Sequence, residues 1–189
     1  MKHLEIEMKT LLNEEDYLNL KAYFSDVLPV TQKNYYLDST DFLLRKHRIA
    51  MRIRTFEDSA ELTIKIPQAV GNMEYNQALS LKEAIECMDK RILPDGLIVQ
   101  ELARHGITTF DWKVLGCLTT IRYEKETPIG LMALDQSHYF DVIDFELELE
   151  VENHEQGVRD FQDFLKQHHI EYQKAPSKLA RFTETMAKY

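Results

Sequence analysis

Along this chain, short runs in which every second residue is apolar and the residues between are charged return from the first ten residues to the last forty. A period of two belongs to a β-strand with one face against a core and the other face polar. Leu4, Ile6 and Met8 alternate with Glu5, Glu7 and Lys9. Ile49, Met51 and Ile53 alternate with Arg52 and Arg54, and Leu62, Ile64 and Ile66 with Thr63 and Lys65. Glu57-Asp58-Ser59 lies between those two runs, so they read as a hairpin.

The same reading adds QKNYYLDST and MEYNQALSL as strands, and beyond Trp112 it adds GCLTTIRYEKE, IGLMALDQ and VIDFELELEVEN. That brings the count to about eight, each run short and bounded by Pro, Gly or Asp. Helical spacing appears elsewhere. Asn13 caps an acidic first turn, and Tyr17, Leu20, Phe24 and Leu28 follow at helical intervals up to Pro29. Phe42 to Arg45 reads as one helical turn. Two helices flank Pro94-Asp95-Gly96, forming an insertion over about 81–108. Two amphipathic helices close the chain, one through Val158, Phe161, Phe164 and Leu165, the other through Leu179, Phe182 and Met186. The expected architecture is an α+β fold: an antiparallel barrel with helices packed outside, in one domain over residues 1–189.

A single strand of this kind sets its charges in water. Recurrence changes the reading. If every apolar face meets the helices, the charged faces point together, and closing the sheet lines an interior with both signs of charge. Like charges side by side, as in Glu5/Glu7 and Glu146/Glu148/Glu150, are destabilising unless a cation neutralises them. Carboxylates are hard ligands suited to Mg²⁺ or Mn²⁺. The forks of Arg52 and Arg54 suit phosphate oxygens, and Lys9, Lys65 and Arg122 add charge along an extended anion.

Other chemistries find little support. With 32 acidic against 23 basic residues, the net charge of −9 disfavours nucleic acid and anionic membrane as partners. The glycines form neither GxGxxG nor GxxxxGK[ST], so any phosphate must be held by side chains. There is no GxSxG or HExxH, and the His168-His169 pair reads as a solvated helix end. Cys87 and Cys117 have no CxxC spacing and are expected to be buried as small apolar groups. No apolar run reaches membrane-spanning length, so the chain is expected to be soluble and cytoplasmic.

Glu5-Ile-Glu7-Met-Lys9 is similar to the ExExK signature of the CYTH superfamily, the triphosphate tunnel metalloenzymes that include adenylyl cyclases and thiamine triphosphatases, here in its bacterial form. The resemblance continues through YYLDSTDFLL, the Arg52-x-Arg54 pair, LTIK ending in Lys65, TTIR ending in Arg122, MALD ending in Asp135, and the ELELE run. It implies an eight-stranded antiparallel tunnel. Carried over residue by residue, it implies Glu5, Glu7, Asp135, Glu146 and Glu148 as ligands of Mg²⁺ or Mn²⁺, with Glu150 as a substitute. It implies Lys9, Arg52, Arg54, Lys65, Arg122 and Lys178 as the triphosphate clamp. Glu74-Tyr75-Asn76-Gln77 departs from many relatives, which carry an arginine there.

The expected activity is metal-dependent hydrolysis of a triphosphate, whether inorganic tripolyphosphate or a nucleoside or thiamine triphosphate, with Glu5, Glu7, Lys9 and Arg54 closest to the chemistry. An adenylyl cyclase using the same site, a non-catalytic polyphosphate-binding module and a barrel whose charges only pair with one another are the alternatives. Monomer and homodimer both stay open.

Overall fold

The computed structural model describes residues 1–109 and 111–189. Its strands are β1 (Lys2–Glu5), β2 (Glu7–Leu12), β3 (Val30–Ser39), β4 (Ala50–Thr55), β5 (Ala60–Pro67), β6 (Asn72–Leu79), β7 (Trp112–Thr127), β8 (Gly130–Tyr139) and β9 (Val142–Glu150). The helices among the described residues are α1 (Glu14–Leu20), α2 (Leu43–Lys46), α3 (Leu81–Lys90), α4 (Leu97–Arg104), α5 (His154–Gln167) and α6 (Lys178–Met186). The hydrogen-bonded order is β1-β6-β5-β4-β3-β7-β8-β9-β2. Its two ends are consecutive in the chain, separated by Ile6, which is the connectivity of an antiparallel barrel. Among the described residues nine strands stand where about eight were expected, because the N-terminal run is cut at Ile6. Its backbone carbonyl accepts from Val151 N at 2.9 Å, and the pairing partner changes there from β6 to β9.

The chain divides into two compact units, Met1–Leu4 with Gln32–Leu118, and Glu5–Thr31 with Thr119–Tyr189. In the first, Met51, Ile53, Leu62, Ile64 and Tyr75 form a core with Ala84, Cys87, Ile98 and Leu102 of α3 and α4. Helix α3 starts at a full capping box, in which Ser80 and Glu83 each satisfy the other's backbone N–H. The opposite face of β4, β5 and β6 carries Arg52, Arg54, Thr63, Lys65, Glu74 and Asn76, as the alternation requires.

In the second unit, Met132, Leu134, Leu147 and Leu149 pack against Tyr17, Leu20 and Phe24 and against Phe161, Phe164 and Leu165 of α5. Helix α5 approaches the sheet closely at Gly157, where a Cβ would come within 2.6 Å of the Val151 side chain. The first helix is shorter than its periodicity suggested. After Leu20 the chain tightens into successive i→i+3 bonds as far as Val27, which still buries Phe24 completely and leaves Leu28 exposed. Cys87 is buried as expected, but Cys117 is exposed, because it lies on the solvent side of β7. No described helix is long and apolar enough to cross a membrane.

Candidate functional site

The strand register of the second unit decides which charges meet. Arg122 on β7 stands opposite Asp135 on β8, which stands opposite Glu146 on β9; one step along, Ala133 and Lys9 flank Glu148. All of these side chains share one sheet face, since each is an even number of residues from its neighbour on the same strand. Ala133 is small, so Arg122 reaches across it. Its Nε and Nη2 donate to the two oxygens of Asp135 at 2.8 and 2.6 Å, and Nη2 also donates to Glu148 Oε2.

Asp135, Glu146 and Glu148 bring carboxylate oxygens within 4.8 Å of one another. Asp135 and Glu146 are wholly buried. The ammonium of Lys178, the first residue of α6, sits at their convergence, 2.8 Å from Asp135 Oδ2 and 2.9 Å from Glu148 Oε1, and also bonded to Glu146 Oε1. Lys9 joins from β2, 2.5 Å from Glu7 and 3.8 Å from Glu148.

Burial is the largest influence on each acid, pushing its pKa up, and the cations decide the outcome. Arg122 and Lys178 outweigh burial at Asp135, and Lys178 and Arg122 do so at Glu148, so both stay ionised. At Glu146, burial and the adjoining Glu148 carboxylate prevail over Lys178 and Arg181, and its pKa is raised. Burial pulls down the pKa of Lys178, but its three carboxylate neighbours override it and hold the ammonium protonated.

The predicted acids therefore separate. Asp135, Glu146 and Glu148 converge, and Glu7 is linked to them through Lys9. Glu5, the last residue of β1, and Glu150, opposite Glu7, lie outside the convergent group. The donor set fits a hard divalent cation: it consists of oxygens only, and a cationic group already stands where they converge.

In the first unit, the predicted cations form their own network. Arg54 Nε donates to Asn34 Oδ1 at 2.8 Å, and its Nη1 lies 3.5 Å from Glu61. Lys65 Nζ lies 2.8 Å from Glu74. Glu74 also accepts from Asn76 at 2.8 Å. Burial pushes the Glu74 carboxyl up, yet Lys65 and Arg52 together bring it down to about 2. Arg52 Nε is buried without a hydrogen-bond partner.

Asn34, Glu61, Asp144 and Arg181 escaped the sequence reading, and Glu74 and Asn76 entered it only as a departure from the family pattern. Asp144 continues the Glu146/Glu148 alternation two residues earlier, and Arg181 stands one helical turn after Lys178, so both were detectable by extending a period. Asn34 was not, since an uncharged amide on a strand carries no pattern.

A sequence model of the family described as the CYTH domain matches residues 3–183. YjbK of Bacillus subtilis (strain 168), provisionally named a triphosphatase, is 32% identical over 189 residues, covering 99% of this chain and 98% of that protein. A crystal structure of a candidate adenylate cyclase from Bacillus halodurans is 32% identical, with a TM-score of 0.88 over 96% of this chain and 98% of that one. A candidate adenylyl cyclase from Hippeastrum, whose structure is described as revealing a dominant triphosphatase activity, shares the fold with a TM-score of 0.84 at 22% identity, over 96% of each chain.

Proposed function

Since the chain belongs to the CYTH domain family, whose pattern runs through nearly its whole length, we propose that it is a metal-dependent enzyme hydrolysing the phosphoanhydride bond of a small-molecule triphosphate. The observation that carries this reading is the convergence of Asp135, Glu146 and Glu148 on one cationic point, with Arg122 and Lys9 beside it. Mg²⁺ or Mn²⁺ held by these three acids, with Glu7 beside them through Lys9, would supply Lewis-acid charge to the phosphate oxygens.

The chain's own residues supply placement and charge, which is most of what phosphoryl transfer asks of a protein. Arg122 is fixed by Asp135, so its guanidinium meets an anionic substrate without further ordering. Lys9, with 19% of its side chain exposed, is accessible to phosphate. Arg52 has a buried donor that a phosphate oxygen would satisfy, and Arg54 and Lys65 are held ready by Asn34 and Glu74. Lys178 adds charge from α6. As a water oxygen bonds to phosphorus, the bond to the bridging oxygen breaks; inorganic tripolyphosphate would yield orthophosphate and pyrophosphate. Glu7 is assigned the orientation of that water.

A cyclase reading has its own support, the candidate adenylate cyclase from Bacillus halodurans at 32% identity. There the ribose hydroxyl of ATP attacks the α-phosphorus and pyrophosphate leaves. One incubation separates the two: purified protein with tripolyphosphate, ATP or thiamine triphosphate, each with Mg²⁺, Mn²⁺ or EDTA. Metal-dependent orthophosphate release is expected. Cyclic AMP with pyrophosphate would replace the hydrolase by the cyclase, and no product from any substrate would reject both.

A further inference from the structure

Glu146 presents a problem of orientation that its own strand does not solve. It is fully buried, and the last torsion of a glutamate is broad, so packing alone does not fix the plane of its carboxylate. Oε1 points to Lys178, within the group formed with Asp135 and Glu148. Oε2 lies 2.6 Å from Nη2 of Arg181, and this ion pair holds it.

Arg181 is itself immobilised. Its Nε and Nη2 donate to the two oxygens of Asp144 at 2.8 and 3.3 Å, and its Nη1 donates to the Pro176 carbonyl at 2.5 Å. Asp144 also accepts from the Tyr139 hydroxyl at 2.7 Å. Asp144 and Glu146 are alternate residues of β9, and Lys178 and Arg181 are one turn apart on α6. A helix turn carrying two cations thus meets a strand face carrying two carboxylates, one cation at each end of Glu146.

We propose that Arg181 is a positioning residue: clamped by Asp144, it fixes Oε2 of Glu146 and so directs Oε1 towards the metal-binding point shared with Asp135 and Glu148. The inference rests on the reading of those three acids as metal ligands. Partners of this kind, one step removed from a metal, change its affinity by about 10–100-fold when removed. A purely electrostatic role predicts the opposite sign, because deleting a nearby positive charge would tighten the binding of a divalent cation.

The test is Mn²⁺ titration by calorimetry, without substrate, of wild type, Arg181→Met, Arg181→Lys, Asp144→Asn and the Arg181→Met/Asp144→Asn double variant. Each protein is checked for folding by circular dichroism and thermal melting in EDTA. Arg181→Met is expected to weaken Mn²⁺ about 10–100-fold. Asp144→Asn should weaken it less, and the double variant no more than Arg181→Met, because both act through one contact. Arg181→Lys, which keeps the charge but loses the planar fork, should also weaken it. In turnover assays, excess Mn²⁺ should restore the kcat of Arg181→Met, with KM for tripolyphosphate unchanged. Unchanged or tighter Mn²⁺ binding by a folded Arg181→Met or Arg181→Lys would overturn the proposal, as would additive losses in the double variant. Failure of the wild type to bind Mn²⁺ would instead remove the metal reading on which it stands.

Discussion

Lys178→Met removes an ammonium that lies 2.8 Å from Asp135 and 2.9 Å from Glu148 and also bonds Glu146. Two of those acids are 0% exposed and the lysine side chain is 12% exposed, so the acids are largely shielded from solvent. Removing one partner of a buried ion pair costs about 3–5 kcal/mol. Arg122 and Arg181 remain beside the acids, which puts the expected loss near the lower end, about 3 kcal/mol. For a chain of this length each kcal/mol moves the melting temperature by about 2–4 °C, so the variant should melt roughly 6–12 °C below wild type in EDTA. Mn²⁺ should then act on the two proteins unequally. In wild type the metal has to displace the ammonium, whereas in the variant it meets three carboxylates with their cation gone. The melting temperature of Lys178→Met should therefore rise more on adding Mn²⁺ than that of wild type. Calorimetric scans in EDTA and in Mn²⁺ measure both effects. A variant melting within about 2 °C of wild type in EDTA, well short of the loss above, would refute the stabilising role. A metal-induced rise no larger than that of wild type would refute the competition.

Glu7→Gln should abolish turnover while shifting the melting temperature little, since glutamine has the same shape and its amide oxygen can still accept from Lys9; Arg54→Ala should raise KM and lower kcat together. Steady-state kinetics with tripolyphosphate checks both. Glu74 has a depressed folded pKa of about 2, so its stabilisation is present above pH 4.5 and is lost as pH falls through about 2. Urea midpoints should therefore place Glu74→Gln below wild type at pH 6, with the gap closing as the pH approaches 2. Gly157→Ala forces a methyl to 2.6 Å from Val151, a stiff β-branched side chain, and should cost about 1–3 kcal/mol by urea denaturation.

The strand alternation was legible where one face packs on helices and the opposite face is polar or charged, as in β4, β5, β8 and β9. It located Arg52, Arg54, Lys65, Arg122 and Glu146/Glu148 on their strands. The break at Ile6 was not legible. Alternation reports which face a residue occupies, and it continues unbroken through Glu5 and Glu7 while the pairing partner changes from β6 to β9. The same limit hid the end of α1, because i→i+3 turns can bury Phe24 as well as a regular helix would. Cys117 was misplaced because a cysteine's usual burial was applied to a solvent-facing position of β7. At the site, the acids and cations were visible as types, but their pairing depends on register and on the docking of α6, both long-range properties. Arg181 was read only as part of an amphipathic helix, although it lies 2.8 Å from Asp144.

If Asp135, Glu146 and Glu148 bind the metal on which triphosphate hydrolysis depends, metal binding and turnover must fail together. Mn²⁺ binding and orthophosphate release from tripolyphosphate are measured on the same preparations of wild type and Glu148→Gln. Wild type should bind Mn²⁺ and release phosphate only when metal is present, and Glu148→Gln, folded by circular dichroism, should lose both together. Phosphate release that persists in EDTA, or a Glu148→Gln protein that binds metal and turns over like wild type, would rule out these three acids as the ligands of a required metal.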